Sequence, residues 1–308
     1  MLIRRYTSEL VEDNEYVDKV LYYDEDGGKL TPFFGMINSV REQNFDVVIH
    51  TQPRPRLAFI TRFSGIPVRI GTGYRWYSFL FNRKVYEHRK DAQRHELEYN
   101  LNLLSALDFS IDGLDIEPKL KVQNSATENV QSLLHKSGIQ PGERLVLLHP
   151  GSGGSAREWG NENFGKLGQR LAAIPNIRVL VTGSKNEEAR VNEVVSIAGS
   201  NAIPMIGFGG LREFAALAKL SALFISNSTG PIHIAAAVGT PVIGLYPQLT
   251  AQNSVRWGPY TKKKTVFSPV NKPVDCKQCL QSSRCECMET ISMEEVNQAA
   301  MKYLGIKA

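Results

Sequence analysis

One order of positions recurs along the chain. A short apolar run is followed by a polar or glycine-rich break, and then by a stretch with apolar residues every three to four positions. That order predicts strand, turn and helix in repetition, the βαβ building block of a parallel sheet. The clearest instance is LFISNSTGPIHIAAAVGTPVIGLY, residues 223–246. Residues 223–225 form a buried strand, and Asn227, Ser228, Thr229 and Gly230 break it. Pro231 stands where a helix starts, since its missing N–H costs nothing in the first turn. Residues 232–238 read as an alanine-built helix, Gly239-Thr240-Pro241 ends it, and residues 242–245 make the next strand.

The same rhythm runs through both halves. In the first, residues 1–6, 17–23, 45–50 and 67–70 read as strands, and residues 31–42, 57–63 and 92–107 as helices. The segment 75–83 is aromatic-rich and is expected to line a cleft. His95, near the start of the third helix, reads as a surface or capping group. Residues 111–124 are polar and irregular and form the linker. In the second half, strands are expected at 144–149, 177–181, 202–206 and 265–267 besides the two above. Helices are expected at 125–136, 163–171, 187–197, 211–220 and 292–304. The architecture that follows is α/β, with two facing Rossmann-like domains, parallel sheets and a central cleft. The domains are residues 1–118 and 119–290, with a closing helix over 291–308.

Open α/β sheets bind ligands outside the carboxyl ends of their strands, where helix starts offer unpaired N–H groups to anions. Two breaks stand there in the second half. After strand 144–149 comes PGSGGSAREW. Gly151, Gly153 and Gly154 let the backbone approach a ligand closely. Ser152 and Ser155 can donate to phosphate oxygens, and Arg157 supplies a guanidinium fork suited to phosphate. No G-K-[ST] follows, so this is not a nucleotide-hydrolase P-loop, and the glycine spacing is not that of the dinucleotide fingerprint. The second break carries Ser228, Thr229, Gly230 and His233. Glu187, at the edge of strand 177–181, sits where a carboxylate accepts hydrogen bonds from a ribose, and equally where a helix start favours an acid. In the first half, Arg54 and Arg56 follow strand 45–50 in TQPRPR and are candidates for an anionic acceptor.

Composition narrows the class. At 308 residues and 42% apolar, the chain can build two real cores. No apolar run reaches the length of a membrane span, and MLIRRYTSEL has no apolar stretch of the signal-peptide kind, so a cytoplasmic location is expected. The formal charge of +5 is mild. It suits an anionic substrate or a peripheral rest on anionic lipid better than nucleic acid, which demands a dense basic stripe. All four cysteines lie close together, Cys276, Cys279, Cys285 and Cys287. Structural zinc is one reading of them and free packing thiols the favoured one.

Two of these stretches resemble a known family. HPGSGGSAREW followed by ENFGKLGQRL, and ISNSTGPIHIAAAVGTPVIGLY, resemble the donor site of the ADP-heptose:lipopolysaccharide heptosyltransferases, glycosyltransferase family 9; CMETIS resembles the end of many members. The resemblance runs from about residue 10 onward. It implies a GT-B fold and inverting transfer of heptose from an ADP-activated donor to the lipid A–core acceptor, at the cytoplasmic side of the inner membrane. No cofactor is implied beyond the ADP-sugar substrate. Two departures stand out in the donor motifs: Ser228 occupies a usual aspartate position, and Arg157 stands near a usual lysine. Family members also open on a strand and a Gly-Asp motif whose aspartate serves as general base. Residues 1–6 resemble the second strand instead, and Asp13 and Asp18 match no catalytic position. The catalytic base is therefore unassigned, and weak transfer by this chain is expected. The remaining readings are a sugar-nucleotide or glycan-binding protein without catalysis, and a UDP-sugar epimerase-like enzyme of the same fold.

Overall fold

The computed structural model describes residues 1–269 and 286–306. Cys276, Cys279 and Cys285 lie outside the described residues. The chain divides into two compact units, Met1–Ile116 and Glu117–Ala308.

The second unit is built on a six-stranded, all-parallel sheet. Its strands are β6 (Arg144–His149), β7 (Ile177–Gly183), β8 (Ala202–Ile206), β9 (Leu223–Asn227), β10 (Val242–Leu245) and β11 (Lys264–Phe267), in the spatial order β11-β10-β9-β6-β7-β8. The inner strands are near-continuous apolar runs because helices cover both faces of a parallel sheet. β9 and β10 are buried at every position. The edges are built differently: β8 carries Pro204, which a ladder tolerates only at an edge, and β11 opens on exposed Lys264. Helix α4 (Asn124–Lys136) leads into β6, and α5 (Asn161–Ala172), α6 (Glu188–Ala198), α7 (Leu211–Leu220) and α8 (Gly230–Ala237) connect successive strands from β6 to β10. α5 turns Phe164, Leu167 and Leu171 into the core at the spacing of one helix face.

The closing helix belongs to that core. It is labelled α11 (Met293–Tyr303) here, after short α9 (Ser254–Trp257) and α10 (Glu286–Glu289). Val296, Ala300 and Leu304 are buried in the cluster that holds Leu148, Trp159 and Phe164. Ser292 caps α11 by accepting from the Glu295 amide at 3.3 Å.

The first unit carries two short parallel sheets. One pairs β1 (Leu2–Ile3) with β2 (Leu21–Tyr22); the other pairs β3 (Val47–Ile49), β4 (Val68–Thr72) and β5 (Arg83–Val85) in that order. Both lie against α1 (Phe33–Arg41) and α2 (Pro55–Phe63). Leu2, Leu21 and Val48 pack on one cluster with Met36, Ile37, Val40 and Ile60.

Several expected elements differ in detail. The strand over 1–6 is only two residues long, because a 3-10 turn, Arg5–Leu10, follows at once. Buried Asp24 holds that turn, accepting from the Arg5 amide at 2.8 Å and pairing with Arg4 at 2.8 Å. The helix over 92–107 is split into α3 (Glu96–Leu101) and a 3-10 stretch, Asn102–Leu107. His95 caps α3 through Nδ1, which accepts from the Leu97 amide at 3.1 Å, and Glu98 answers the His95 amide. The aromatic segment 75–83 yields a 3-10 turn, Ser78–Leu80, and the start of β5.

Candidate functional site

The order of the six-stranded sheet locates the site. The chain runs outward from β6 through β7 to β8, then crosses back to β9 on the other side of β6. Between β6 and β9 the direction of winding reverses. At such a switch point the loops leaving the two strands diverge and open a crevice at their carboxyl ends. Those loops are the two breaks singled out in the sequence, 150–160 and 228–230.

The first loop is folded by its own residues. Pro150 cannot donate to a ladder and ends β6. Gly153 and Gly154 both adopt positive φ, 57° and 79°, which turns the chain back on itself. The Ser155 amide and Oγ close the turn on the Ser152 carbonyl at 3.0 and 2.7 Å. Ser152 is buried, and Glu158 Oε1 accepts from both its amide, at 2.9 Å, and its hydroxyl, at 2.8 Å. Arg190 of α6 pairs with the other Glu158 oxygen and donates to the Pro150 carbonyl at 3.2 Å. The Glu158 charge is therefore compensated and does not oppose an anion in the crevice.

Two buried side chains lock the loops together. Asn227, at the end of β9, accepts from the Trp159 amide at 2.9 Å and donates to the Pro150 carbonyl at 2.6 Å. Trp159 is fully buried, and its Nε1 donates to the Ile291 carbonyl at 3.0 Å, just before α11. Ser155 Oγ also reaches the Ser228 carbonyl at 3.3 Å, so the glycine-rich loop and the second break touch directly. The Ser228 amide donates to Leu245, and Thr229 is extended ahead of α8 with Pro231 in the first turn. Gly230 is exposed at that start and His233 is half-buried one turn on.

Glu187 approaches from β7. It closes a capping box on Ser184, whose amide and hydroxyl both donate to Oε2, at 2.9 and 2.8 Å. Burial works against its charge. The Ser184 bonds, with His149 and Arg190 nearby, still hold its carboxyl below the usual range. Its Oε1 lies where a Cβ on Gly151 would be, 1.8 Å away, so only glycine at 151 admits this packing. Beneath the loop, His149 is buried with Nδ1 2.9 Å from Thr182 Oγ1, and Thr182 Oγ1 donates to the Leu148 carbonyl. Nδ1 is then the protonated nitrogen. Burial lowers the His149 pKa to about 4, against the opposing pull of Glu187, and the ring is neutral at physiological pH.

A cavity of about 390 Å³ opens on the loop, lined by Ser152, Gly154, Arg157, Glu158, Arg190 and Gln252 among others. Gln252 comes from the segment after β10, and its Oε1 is buried without a hydrogen-bond partner. A buried acceptor left unsatisfied is costly, and this one belongs to a residue that lines the cavity.

The structure thus brings Gly151, Ser152, Gly153, Gly154, Ser155, Arg157, Glu187, Ser228, Thr229, Gly230 and His233 to one end of one sheet. Glu158, Arg190, Asn227 and Gln252 were missed. Glu158 and Arg190 are charged residues of ordinary helical or loop context in the sequence, and Gln252 lies in a polar loop. Asn227 did leave a signal, an amide at the end of a fully buried strand. In the first unit, Arg54 is exposed beside a cavity of about 400 Å³ lined by Leu2, Arg4, Tyr23 and Leu57. Arg56 is occupied structurally: its guanidinium lies 5.7 Å from the Tyr23 and Phe33 rings and donates to the Thr31 carbonyl. His50 is buried against Thr61, 3.0 Å from its Oγ1, and Glu96 pairs with Arg89 at 2.7 Å.

Comparison with known proteins places this geometry. The sequence profile of glycosyltransferase family 9 (heptosyltransferase) matches residues 34–287. A Haemophilus influenzae protein named only as a glycosyltransferase is 27% identical over 275 residues, 87% of this chain and 79% of its own. Lipopolysaccharide heptosyltransferase 3 of Escherichia coli is 27% identical over 244 residues, 78% of this chain and 69% of its own. The solved structure of E. coli ADP-heptose lipopolysaccharide heptosyltransferase II superposes with a TM-score of 0.76 at 17% identity, covering 98% of this chain and 88% of that one.

Proposed function

The chain belongs to glycosyltransferase family 9, and from that premise we propose that it transfers heptose from ADP-heptose to the inner core of lipopolysaccharide, with inversion. In that reaction an acceptor hydroxyl attacks the anomeric carbon and gives up its proton to a base. The bond from that carbon to the β-phosphate oxygen breaks, and ADP leaves with the electron pair. The demanding task for the donor site is to stabilise the charge that grows on the pyrophosphate.

The observation that carries this reading is the crevice at the β6/β9 switch point. The glycine-rich turn and Arg157 line a cavity there, and Ser155 Oγ ties that turn to the Ser228 carbonyl ahead of α8. In the proposal the amides of Gly151, Gly153, Gly154, Thr229 and Gly230 face the pyrophosphate, and Ser152 and Ser155, whose hydroxyls bond within the loop, hold those amides in place. Arg157 compensates its charge, and Ser228 and His233 add polar contact. Glu187 accepts from the ribose, and Gln252 Oε1 accepts from a donor N–H or O–H. ADP-heptose is the assigned donor because relatives such as lipopolysaccharide heptosyltransferase 3 are named for heptose transfer and the superposed enzyme is named for that donor. The ADP-sugar is substrate, and no cofactor is invoked. The acceptor is the lipid A–core oligosaccharide, with exposed Arg54 assigned to its anionic groups. Such an acceptor brings the protein into peripheral contact with the cytoplasmic face of the inner membrane.

The test is calorimetric titration with ADP. Arg157→Ala is expected to weaken ADP by about 1.5–3 kcal/mol, the scale of a charged hydrogen bond. Unchanged ADP affinity in that variant would overturn the placement. Transfer assayed with ADP-heptose and a core acceptor tests the donor itself, and a preference for UDP-sugars would redirect it.

A further inference from the structure

From residue 47 to residue 86 the chain contains no aspartate or glutamate, yet it carries Arg54, Arg56, Arg62, Arg69, Arg75, Arg83 and Lys84. The segment has a charge of +7, and the remainder of the chain is −2. The whole positive excess is thus concentrated in forty consecutive residues that the mild overall charge conceals.

The same segment exposes its rings. Trp76 is 71% exposed, Phe79 66% and Phe63 53%. They are not frayed ends of a poorly packed region. Ala58 of α2 packs with Tyr77, Leu80 and Phe81 of the β4–β5 connection in a buried cluster, with Phe59 at its margin. Phe59 stacks on Phe63 at 6.1 Å and meets Trp76 at 6.5 Å. Rings from two different elements are therefore held in one outward patch by the packing beneath them. Phe79 projects from a 3-10 turn whose other two residues, Ser78 and Leu80, are buried. Cations stand at both ends of α2 and along the connection. Arg62 precedes Phe63 and Arg75 precedes Trp76; burial raises the Tyr77 pKa, and Arg75 and Arg54 stand close enough to pull against that rise. None of Arg54, Arg62 and Arg75 forms an ion pair with a carboxylate among the described residues.

We propose that the outward face of α2 and the β4–β5 connection is a docking surface for an anionic lipid bilayer, with Trp76, Phe79 and Phe63 entering the interface and Arg54, Arg62 and Arg75 meeting lipid phosphates. Rings in an apolar centre flanked by cations satisfy both demands of an interfacial anchor: burial of apolar area and attraction to anionic headgroups. Tryptophan favours that depth because its ring is apolar and its N–H is not. A nucleic-acid groove would instead track a strand with a continuous line of cations. The contact is peripheral: among the described residues no helix is long and apolar enough to cross a membrane. The inference shares with the proposed function the nearness of a membrane and the exposed Arg54, which both assign to anionic groups at that membrane; the variants that test it leave Arg54 in place. Its test contains neither donor nor acceptor, so its failure leaves the transferase reading standing.

The experiment is vesicle sedimentation of the full chain, with phosphatidylcholine vesicles and with the same vesicles containing phosphatidylglycerol. Binding is expected only to the anionic vesicles and falls as salt is raised, since exposed charge pairs are screened. Brominated lipid should quench Trp76 fluorescence, and Trp76→Phe should remove that quenching, because Trp159 is buried and the half-buried Trp257 belongs to the second unit, outside the proposed surface. The Trp76→Ala/Phe79→Ala pair should lower partitioning by about tenfold or more. Arg62→Gln/Arg75→Gln should lower it by about fivefold for each cation removed. A thermal melt showing both variants as stable as the parent keeps the result interpretable. Absence of binding to anionic vesicles, unchanged partitioning in the Trp76→Ala/Phe79→Ala variant, or tighter binding of a single-stranded oligonucleotide through the same residues would each overturn the assignment.

Discussion

Strand β9 of the second unit is buried at all five of its positions, whereas β3 of the first unit has no fully buried residue and leaves Val47 39% exposed. Both are parallel strands with short loops leaving their carboxyl ends. The difference lies in their neighbours. β9 sits between β6 and β10 in a continuous six-stranded sheet, and β3 has a ladder partner, β4, on one side. A fully flanked strand fixes the direction in which its loop departs, and the loops of the second unit are correspondingly cross-braced by Asn227 and Trp159. In the first unit the cations and rings stand on surface elements, suited to a broad surface rather than to one small ligand.

The sharpest way to break this contrast is Trp159→Ala. It removes a fully buried indole and its bond to Ile291, and should cost about 3–5 kcal/mol, seen as a loss of denaturation midpoint. ADP binding should fall with it, because the same residue anchors the glycine-rich loop. A loss below 1 kcal/mol would show that the loop is not braced as described.

A second test uses acidity, and it should affect both units alike. His50 and His149 each have a pKa lowered to about 4, in both cases chiefly by burial, with Arg69 adding to the effect at His50. An unfolded histidine takes its proton near pH 6.5, and these take it only near 4. Between those values the unfolded chain binds more protons, so stability falls as pH falls. From pH 7 to pH 5 each site should contribute a loss of about 2 kcal/mol. Denaturant titration at the two pH values measures it, and His149→Gln should remove the share of the second unit. Stability that is flat over this range would contradict the burial of both rings.

The smallest effect sharpens the contrast from the other side. Val47→Ala should change stability by less than about 1 kcal/mol, since the side chain is already half in water. Ile225→Ala, its counterpart in β9, should cost about 2–5 kcal/mol. Equal losses in the two variants would mean that β3 is as enclosed as β9.

The apolar runs and their polar breaks determined the strands of the second unit almost residue for residue, from Arg144–His149 to Val242–Leu245, because a doubly covered parallel strand must be apolar throughout. The glycine-rich turn and the NSTGP break were legible for the complementary reason: only small, polar or φ-permissive residues serve at the end of such a strand. Tertiary structure alone decided the rest. The crossing from β8 back to β9 made two breaks seventy residues apart into one crevice. The space beside Gly151 is filled by Glu187, thirty-six positions away, and Glu158 is a compensated charge because of Arg190. The division of the first unit into two short sheets, and the gathering of Phe63 and Trp76 through Phe59, likewise depend on which elements pack together. Periodicity records whether a residue faces a core or water. It carries no record of which distant residue it will meet there, and burial, charge compensation and the orphaned acceptor of Gln252 arise only from that meeting.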